Sequence, residues 1–197
     1  MKDLIILGLD IHAIEILDMV KATGEYNFIG FASQHAEYEP VYEGYPVLGD
    51  SSILTNYPST YKLPMHVWKV RQNMTNWVNI IAPSAFITST ASLGVGCVIY
   101  PNCFIGADAR LGNGIFMLSG SIVNHHCIIE DNVTICSGVI LAGSVTVKTG
   151  AYLGQASSVK QLLTIGSNSK VGMGAVVTRN VADDVTVVGC PARPLCS

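Results

Sequence analysis

With 197 residues the chain can build one large domain, or a small and a medium one, around a real core, so neither disulfides nor a metal are required for stability. Hydrophobic residues make up 49% and charged residues 13%, yet there is no run of about 18 apolar residues to span a bilayer, so the excess is expected inside the protein or between subunits. A formal net charge of -3 without a basic run argues against nucleic acid or an anionic membrane surface as the main partner.

The opening "MKDLIILGLD" puts an aspartate directly after the lysine and has too short an apolar run for a secretory signal. It reads as a first β-strand over residues 4–8 of a cytoplasmic protein. Ile11 to Ala22 carry Ile14, Leu17 and Val20 at near-helical spacing before Gly24, a C-cap glycine. A second strand is predicted at "NFIGF", and "YEGYPVLGDSSIL" reads as a turn-rich crossing in which Asp50 or Ser51 caps a short helix. A further strand is expected near "MHVWKV". Alternating strand and helix imply a small, parallel, Rossmann-like α/β sheet with its ligand crevice at the carboxyl ends of the strands. Of a dinucleotide fingerprint only Gly8 survives, which argues against a classical NAD site.

From Ile81 to Val177 every sixth residue is aliphatic, seventeen consecutive positions without an exception. Four residues after each comes a mostly small side chain, such as Ala85, Cys97, Cys103, Ala109, Ser121 and Cys127. Three residues after each there is usually a turn former, such as Gly96, Asn102, Asp108, Gly120, Asn132 and Gly174. Gly, Asn and Asp tolerate positive φ, which a sharp corner between short strands requires. One short strand and one corner per six residues select a parallel β-helix, since a heptad would repeat every 3.5 residues. The six cysteines, at 97, 103, 127, 136, 190 and 196, show no CxxC pair and no zinc-site spacing, and are predicted to be reduced thiols, most of them in the core.

The period resembles that of hexapeptide-repeat left-handed β-helices, in which three hexads make one triangular coil. Seventeen hexads then give nearly six coils, about 27 Å at about 4.8 Å per stacked strand. The tail "VVGCPAR" matches the "VVGxPAR" ending of hexapeptide acyltransferases at Gly189, Pro191, Ala192 and Arg193. A small α/β domain (1–78) running directly into such a helix (79–197) resembles the sugar O- and N-acetyltransferases, a family that includes sialic acid O-acetyltransferases and N-acetyltransferases of nucleotide-linked 4-amino-sugars. "GLDIHA" keeps Gly8 and His12 of the family's GxGGHG-like loop but has Asp10 and Ile11 where small residues are usual. "GYPVLGD" matches its GxPVLGD segment, and "IIAPSAFI" resembles its entry into the β-helix, IHPSAxI, with Ala82 in place of the usual histidine. "GFASQ" replaces a "GFLDD" pattern common in members that bind a uridine nucleotide, and the usual "GDN" loop near residue 70 is missing, so the acceptor is less defined than the donor.

The resemblance implies acetyl-CoA as co-substrate, no metal, a homotrimer, and a sugar or nucleotide-sugar acceptor near Gly8 and His12. "VNHHC" falls where the family carries its catalytic histidine, so His125 is the implied general base, with His126 in place of an acidic companion, where it either contacts the acceptor or serves as the base itself. An imidazole takes the proton of an attacking amine or hydroxyl efficiently at neutral pH. Adding 18 to 125 gives Gly143, stacked on His125 in the next coil, where a backbone N–H can stabilise a thioester oxyanion. Subtracting 18 from 126 gives Asp108, which is either a contact of His126 or a corner residue of a type that tolerates positive φ. Lys160 and Gly174 lie in segments that resemble the CoA-lining stretches. A zinc site needs three converging imidazoles. Of the histidines at 12, 35, 66, 125 and 126 only two lie in the repeat, and neighbours on an extended strand point to opposite sides. Two other readings stand beside the enzyme: a trimeric β-helix scaffold without turnover, and a serine-acetyltransferase-like enzyme, disfavoured because those carry a helical N-terminal domain.

Overall fold

The computed structural model describes residues 1–33, 35, 38–57, 61–64 and 76–195. In the N-terminal part β1 (Lys2–Leu7) is followed by α1 (Ala13–Thr23), β2 (Tyr26–Ser33), β3 (Val41–Tyr42), β4 (Tyr45–Asp50) and β5 (Tyr61–Pro64). The sheet order is β3-β4-β2-β1-β5, parallel except for the β3/β4 edge. Helix α1 buries Ala13, Ile16, Leu17, Met19 and Val20 on this sheet, and it ends at Gly24, whose φ of 66° lets its N–H turn back to the Lys21 carbonyl. The segment read as a turn-rich crossing is instead the β3–β4 hairpin followed by a 3-10 helix, Ser51–Asn56. Asp50 caps that helix by accepting the Ser52 N–H at 2.8 Å. The strand expected at 65–70 and the loop near residue 70 lie outside the described residues.

From Ile80 on, two-residue strands alternate with corners and stack into three parallel sheets, the walls of a triangular prism. Each strand pairs with the one three hexads further on, as Phe104 with Ile122 and Ile122 with Ile140. The second residue of each strand points into the axis. Ile99, Ile105, Met117, Val123, Ile135, Leu141, Val147 and Leu153 are all fully buried, each contributing about 1.5–3 kcal/mol of transfer free energy. Ile81, Ile87 and Leu93 are only half-buried because no earlier coil covers them. One apolar cluster continues from Leu4 and Ile16 through the prism to Val187, so α1 and the β-helix share a core.

Every corner residue three after an inward aliphatic, from Gly96 to Gly174, has φ between 52° and 72°, including the non-glycines Asp108, His126, Ser144 and Leu162. The prism carries seven parallel rungs along its longest wall, rather than nearly six coils. The extra rung, Thr186–Val188, escapes the hexad count because the final coil is shortened: Ile165 bridges Val181 and Lys170 pairs with Thr186, both spacings short of three full hexads. The VVGCPAR tail then folds Arg193–Pro194 back, antiparallel, on that rung.

Among the described cysteines, Cys97, Cys103, Cys127 and Cys136 are buried and Cys190 is exposed. Burial raises the buried thiols, that of Cys97 to about 11, which leaves almost no thiolate at pH 8. A disulfide reagent at pH 8 is expected to label Cys190 and to leave these four silent until the chain is unfolded. Mass mapping that finds Cys127 labelled in native protein would contradict this packing.

Candidate active site

The two histidines form one corner of the prism between strands Ile122–Val123 and Ile128–Ile129. Asn124 opens the corner and donates from Nδ2 to the Leu141 carbonyl at 2.7 Å. The His126 N–H donates to Ala107 O in the coil before, and the His125 carbonyl accepts the Ser144 N–H of the coil after, both at 2.9 Å. Neighbouring side chains diverge on an extended strand, but His126 is left-handed, with φ of 58°, and this brings the rings together. His125 Nδ1 lies 3.0 Å from His126 Nδ1, with the rings at 85°. The alternation that argued against convergence therefore fails at the corner. Even so, no group of three His, Cys, Asp or Glu side chains suited to a metal occurs among the described residues.

On the far side of His126, its Nε2 is 3.6 Å from Asp108 Oδ2. Asp108 is the corner residue one coil earlier, with φ of 57°. It thus fills both roles left open by the sequence, a positive-φ corner and a contact of His126.

Gly143 lies against the His125 ring in the following coil. A Cβ built there would stand 2.5 Å from His125 Nε2, so only a glycine leaves the imidazole in this place. The Gly143 carbonyl accepts the Leu162 N–H at 3.1 Å, while its own N–H has no partner among the described residues. At a different corner of the prism the equivalent N–H groups are taken by side chains of an adjacent coil, as Asn113 N–H by Asp131 Oδ1 at 2.7 Å and Thr149 N–H by Glu130 Oε2 at 2.9 Å. The Gly143 donor and the His125 base candidate therefore share one patch of surface.

Gly8 and His12 belong to a different place. Gly8, with φ of 124°, ends β1 and donates its N–H to Ala32 O. The Asp10 carboxylate accepts the His12 N–H at 2.8 Å, so the residue that departs from the small-residue loop orders the turn into α1. His12 Nδ1 is 2.9 Å from Glu15 Oε2, which also accepts the Tyr100 hydroxyl at 3.1 Å. Burial, reinforced by Glu15, pushes the Tyr100 phenol far above its ordinary value. These three side chains line a cavity of about 270 Å³ with Phe116, Thr134 and Tyr152 from one wall of the prism. Within one chain neither His125 nor His126 lines it.

Sequence reasoning missed Glu15, Tyr100 and Tyr152. The signal was available in part, because His12 and Glu15 stand at helical i,i+3 spacing and Phe116, Thr134 and Tyr152 recur once per coil on one wall. Lys160 lies on the histidine corner's side, in the same column as Asn124, and is exposed. Gly174 is a left-handed corner with open space beside it. No helix among the described residues is long and apolar enough to cross a membrane.

Comparison with known proteins places this geometry. The chain matches a variant of GDP-perosamine N-acetyl transferase from Caulobacter crescentus, solved with CoA and GDP-perosamine, over 100% of its own length and 98% of the other, with a TM-score of 0.90 and 26% identity. The resemblance to hexapeptide-repeat sugar acetyltransferases holds from end to end. The fold is therefore the left-handed parallel β-helix with a small N-terminal α/β region. The acetyltransferase domain of PglB from Neisseria gonorrhoeae, solved with acetyl coenzyme A, shares that fold with a TM-score of 0.86 at 22% identity, covering 98% of this chain and 99% of that one. Among curated sequences, a serine acetyltransferase from Bacillus subtilis is 32% identical over 115 residues, 54% of this chain and 51% of that protein. The chain spans about half the length of the curated relatives it matches. No family model matches. The described N-terminal residues form an α/β region, where the serine-acetyltransferase-like reading expected a helical domain.

Proposed function

We propose that the protein is an acetyl-CoA-dependent acetyltransferase that acylates an amino or hydroxyl group of a sugar or nucleotide-sugar. The observation that carries this reading is His125 Nε2 standing against Gly143, whose N–H has no partner among the described residues. The acceptor nitrogen or oxygen attacks the thioester carbonyl and gives its proton to His125 Nε2. The carbonyl oxygen gains charge beside the Gly143 N–H, a donor already in place when charge develops. Collapse of the tetrahedral intermediate breaks the C–S bond, and the imidazolium returns the proton to the departing thiolate. No covalent enzyme intermediate is needed, because the thioester is already activated.

The α/β region, 1–78 in this reading, holds the acceptor by Gly8 and His12, and the β-helix, 79–197, holds the donor, with Lys160 and Gly174 toward the CoA end. The Caulobacter enzyme's ligands, CoA and GDP-perosamine, support this division. A homotrimer would let the histidine corner of one subunit face the His12 cavity of another. Ile128, Ile140 and Leu162, exposed by 44–76% on the prism, support such packing.

The test is thiol release from acetyl-CoA with a panel of 4-amino-sugar nucleotides and free sialic acids. Turnover with a member of the panel supports the reading and names the acceptor class. Failure to bind acetyl-CoA would replace it with a β-helix scaffold.

A further inference from the structure

We propose that Asp108 is a positioning residue for His125 and acts through His126, so that the carboxylate is supplied one coil below the base and reaches it across a second imidazole. The inference rests on the reading of His125 as the base, and it deepens that reading by assigning what each nitrogen of the corner does.

The geometry orders the protons. His126 Nε2 faces the Asp108 carboxylate at 3.6 Å, a group that only accepts, so the proton of neutral His126 belongs on Nε2. His126 Nδ1 then carries a lone pair and accepts from His125 Nδ1–H at 3.0 Å. With its proton on Nδ1, His125 must bear its lone pair on Nε2, the atom against Gly143. Each link selects the tautomer of the next. His126 Nδ1 is taken by His125 and its Nε2 faces a carboxylate, which leaves His125 Nε2 as the lone pair turned toward Gly143. When His125 Nε2 takes the acceptor proton, the positive charge lies one hydrogen bond from His126, whose ring is polarised by Asp108. No proton needs to reach the carboxylate.

The arrangement follows from the coil. Asp108 and His126 are successive residues of one corner column, both left-handed, with φ of 57° and 58°. The next residues of that column are Ser144 and Leu162, so the carboxylate is particular to the rung beneath the histidines.

The test uses the whole protein and needs no acceptor. Long-range 1H–15N spectra of the imidazoles, recorded with both rings neutral, are expected to show His125 as the Nδ1–H tautomer and His126 as the Nε2–H tautomer. Asp108→Asn keeps a residue that tolerates the left-handed corner and is expected to return His125 largely to Nε2–H. It should also lower kcat about tenfold with KM for acetyl-CoA unchanged. In a His126→Glu background, where a carboxylate meets His125 directly, Asp108→Asn should leave kcat unchanged. His125 found as Nε2–H in the unmodified protein, or a tautomer indifferent to Asp108→Asn, overturns the proposal. An absence of acetyl transfer by the unmodified protein would count against the enzymatic reading and leave the tautomer result standing.

Discussion

His125→Ala is expected to lower kcat for acetyl transfer by about a thousandfold, the range in which a positioned general base acts. The loss should appear in kcat more than in KM for acetyl-CoA, because in the proposed mechanism the imidazole Nε2 meets the proton of the attacking group and not the bulk of the donor. His126→Ala is expected to cost only about tenfold, since it removes the partner of Nδ1 and leaves Nε2 in place. Folding should not confuse the comparison. His125 is an exposed corner residue whose backbone carbonyl, not its ring, accepts the Ser144 N–H, and surface substitutions of this kind stay within about 0.5 kcal/mol. Thiol release and a thermal melt on the same preparations decide it. A His125→Ala protein that keeps more than about a tenth of wild-type turnover would transfer the base role elsewhere, and the reverse order of the two variants would assign it to His126.

The solenoid was legible because one rule repeats: an aliphatic inward, a small residue beside it and a left-handed corner three residues on, with each coil repeating the last after three hexads. The same arithmetic found Gly143 against His125 and Asp108 beneath His126 from the sequence alone. It failed where the local rule changes. Strand alternation separated His125 from His126, whereas the left-handed backbone at 126 folds the second ring toward the first. The last coil is shortened between Val177 and Val181, with Asn180 Oδ1 accepting the Thr164 N–H at 2.9 Å across the gap, so a strict hexad count stops one rung early. In the N-terminal part the alternating pattern identified β1, α1 and β2. It did not separate the β3–β4 hairpin from a loop, because β3 is two residues long and Glu43–Gly44 turn at positive φ. The His12–Glu15–Tyr100 cluster was out of reach for another reason: Tyr100 is far from Glu15 in sequence, and only packing of α1 on the prism joins them.

The adjacent coil supplies the second large expectation, which is that Gly143→Ala lowers kcat by at least about a hundredfold without lowering the melting temperature by more than about 2 °C. Two effects compete at this position. A methyl group there would meet the His125 ring at 2.5 Å from Nε2, nearer than any real Cβ contact, so something must move. Were the obstacle backbone, as it is for Gly154 beneath Met173 N and Val171 O, the coil itself would have to shift and stability would fall. At Gly143 the obstacle is the far end of an exposed side chain, so the imidazole swings into solvent at little cost. The backbone of Gly143 is not in the left-handed region, so alanine brings no conformational strain either. On the proposed mechanism the whole penalty therefore falls on chemistry: the proposed base leaves its place and the methyl group crowds the N–H proposed for the oxyanion, a donor whose loss alone costs about a hundredfold or more in comparable sites. Acetyl-CoA affinity is expected to change little, because only the reacting end of the thioester meets this residue. Single-turnover acetyl transfer together with calorimetric binding of acetyl-CoA reads the two effects separately. Full activity in Gly143→Ala would mean that His125 and the Gly143 N–H do not work together at the thioester.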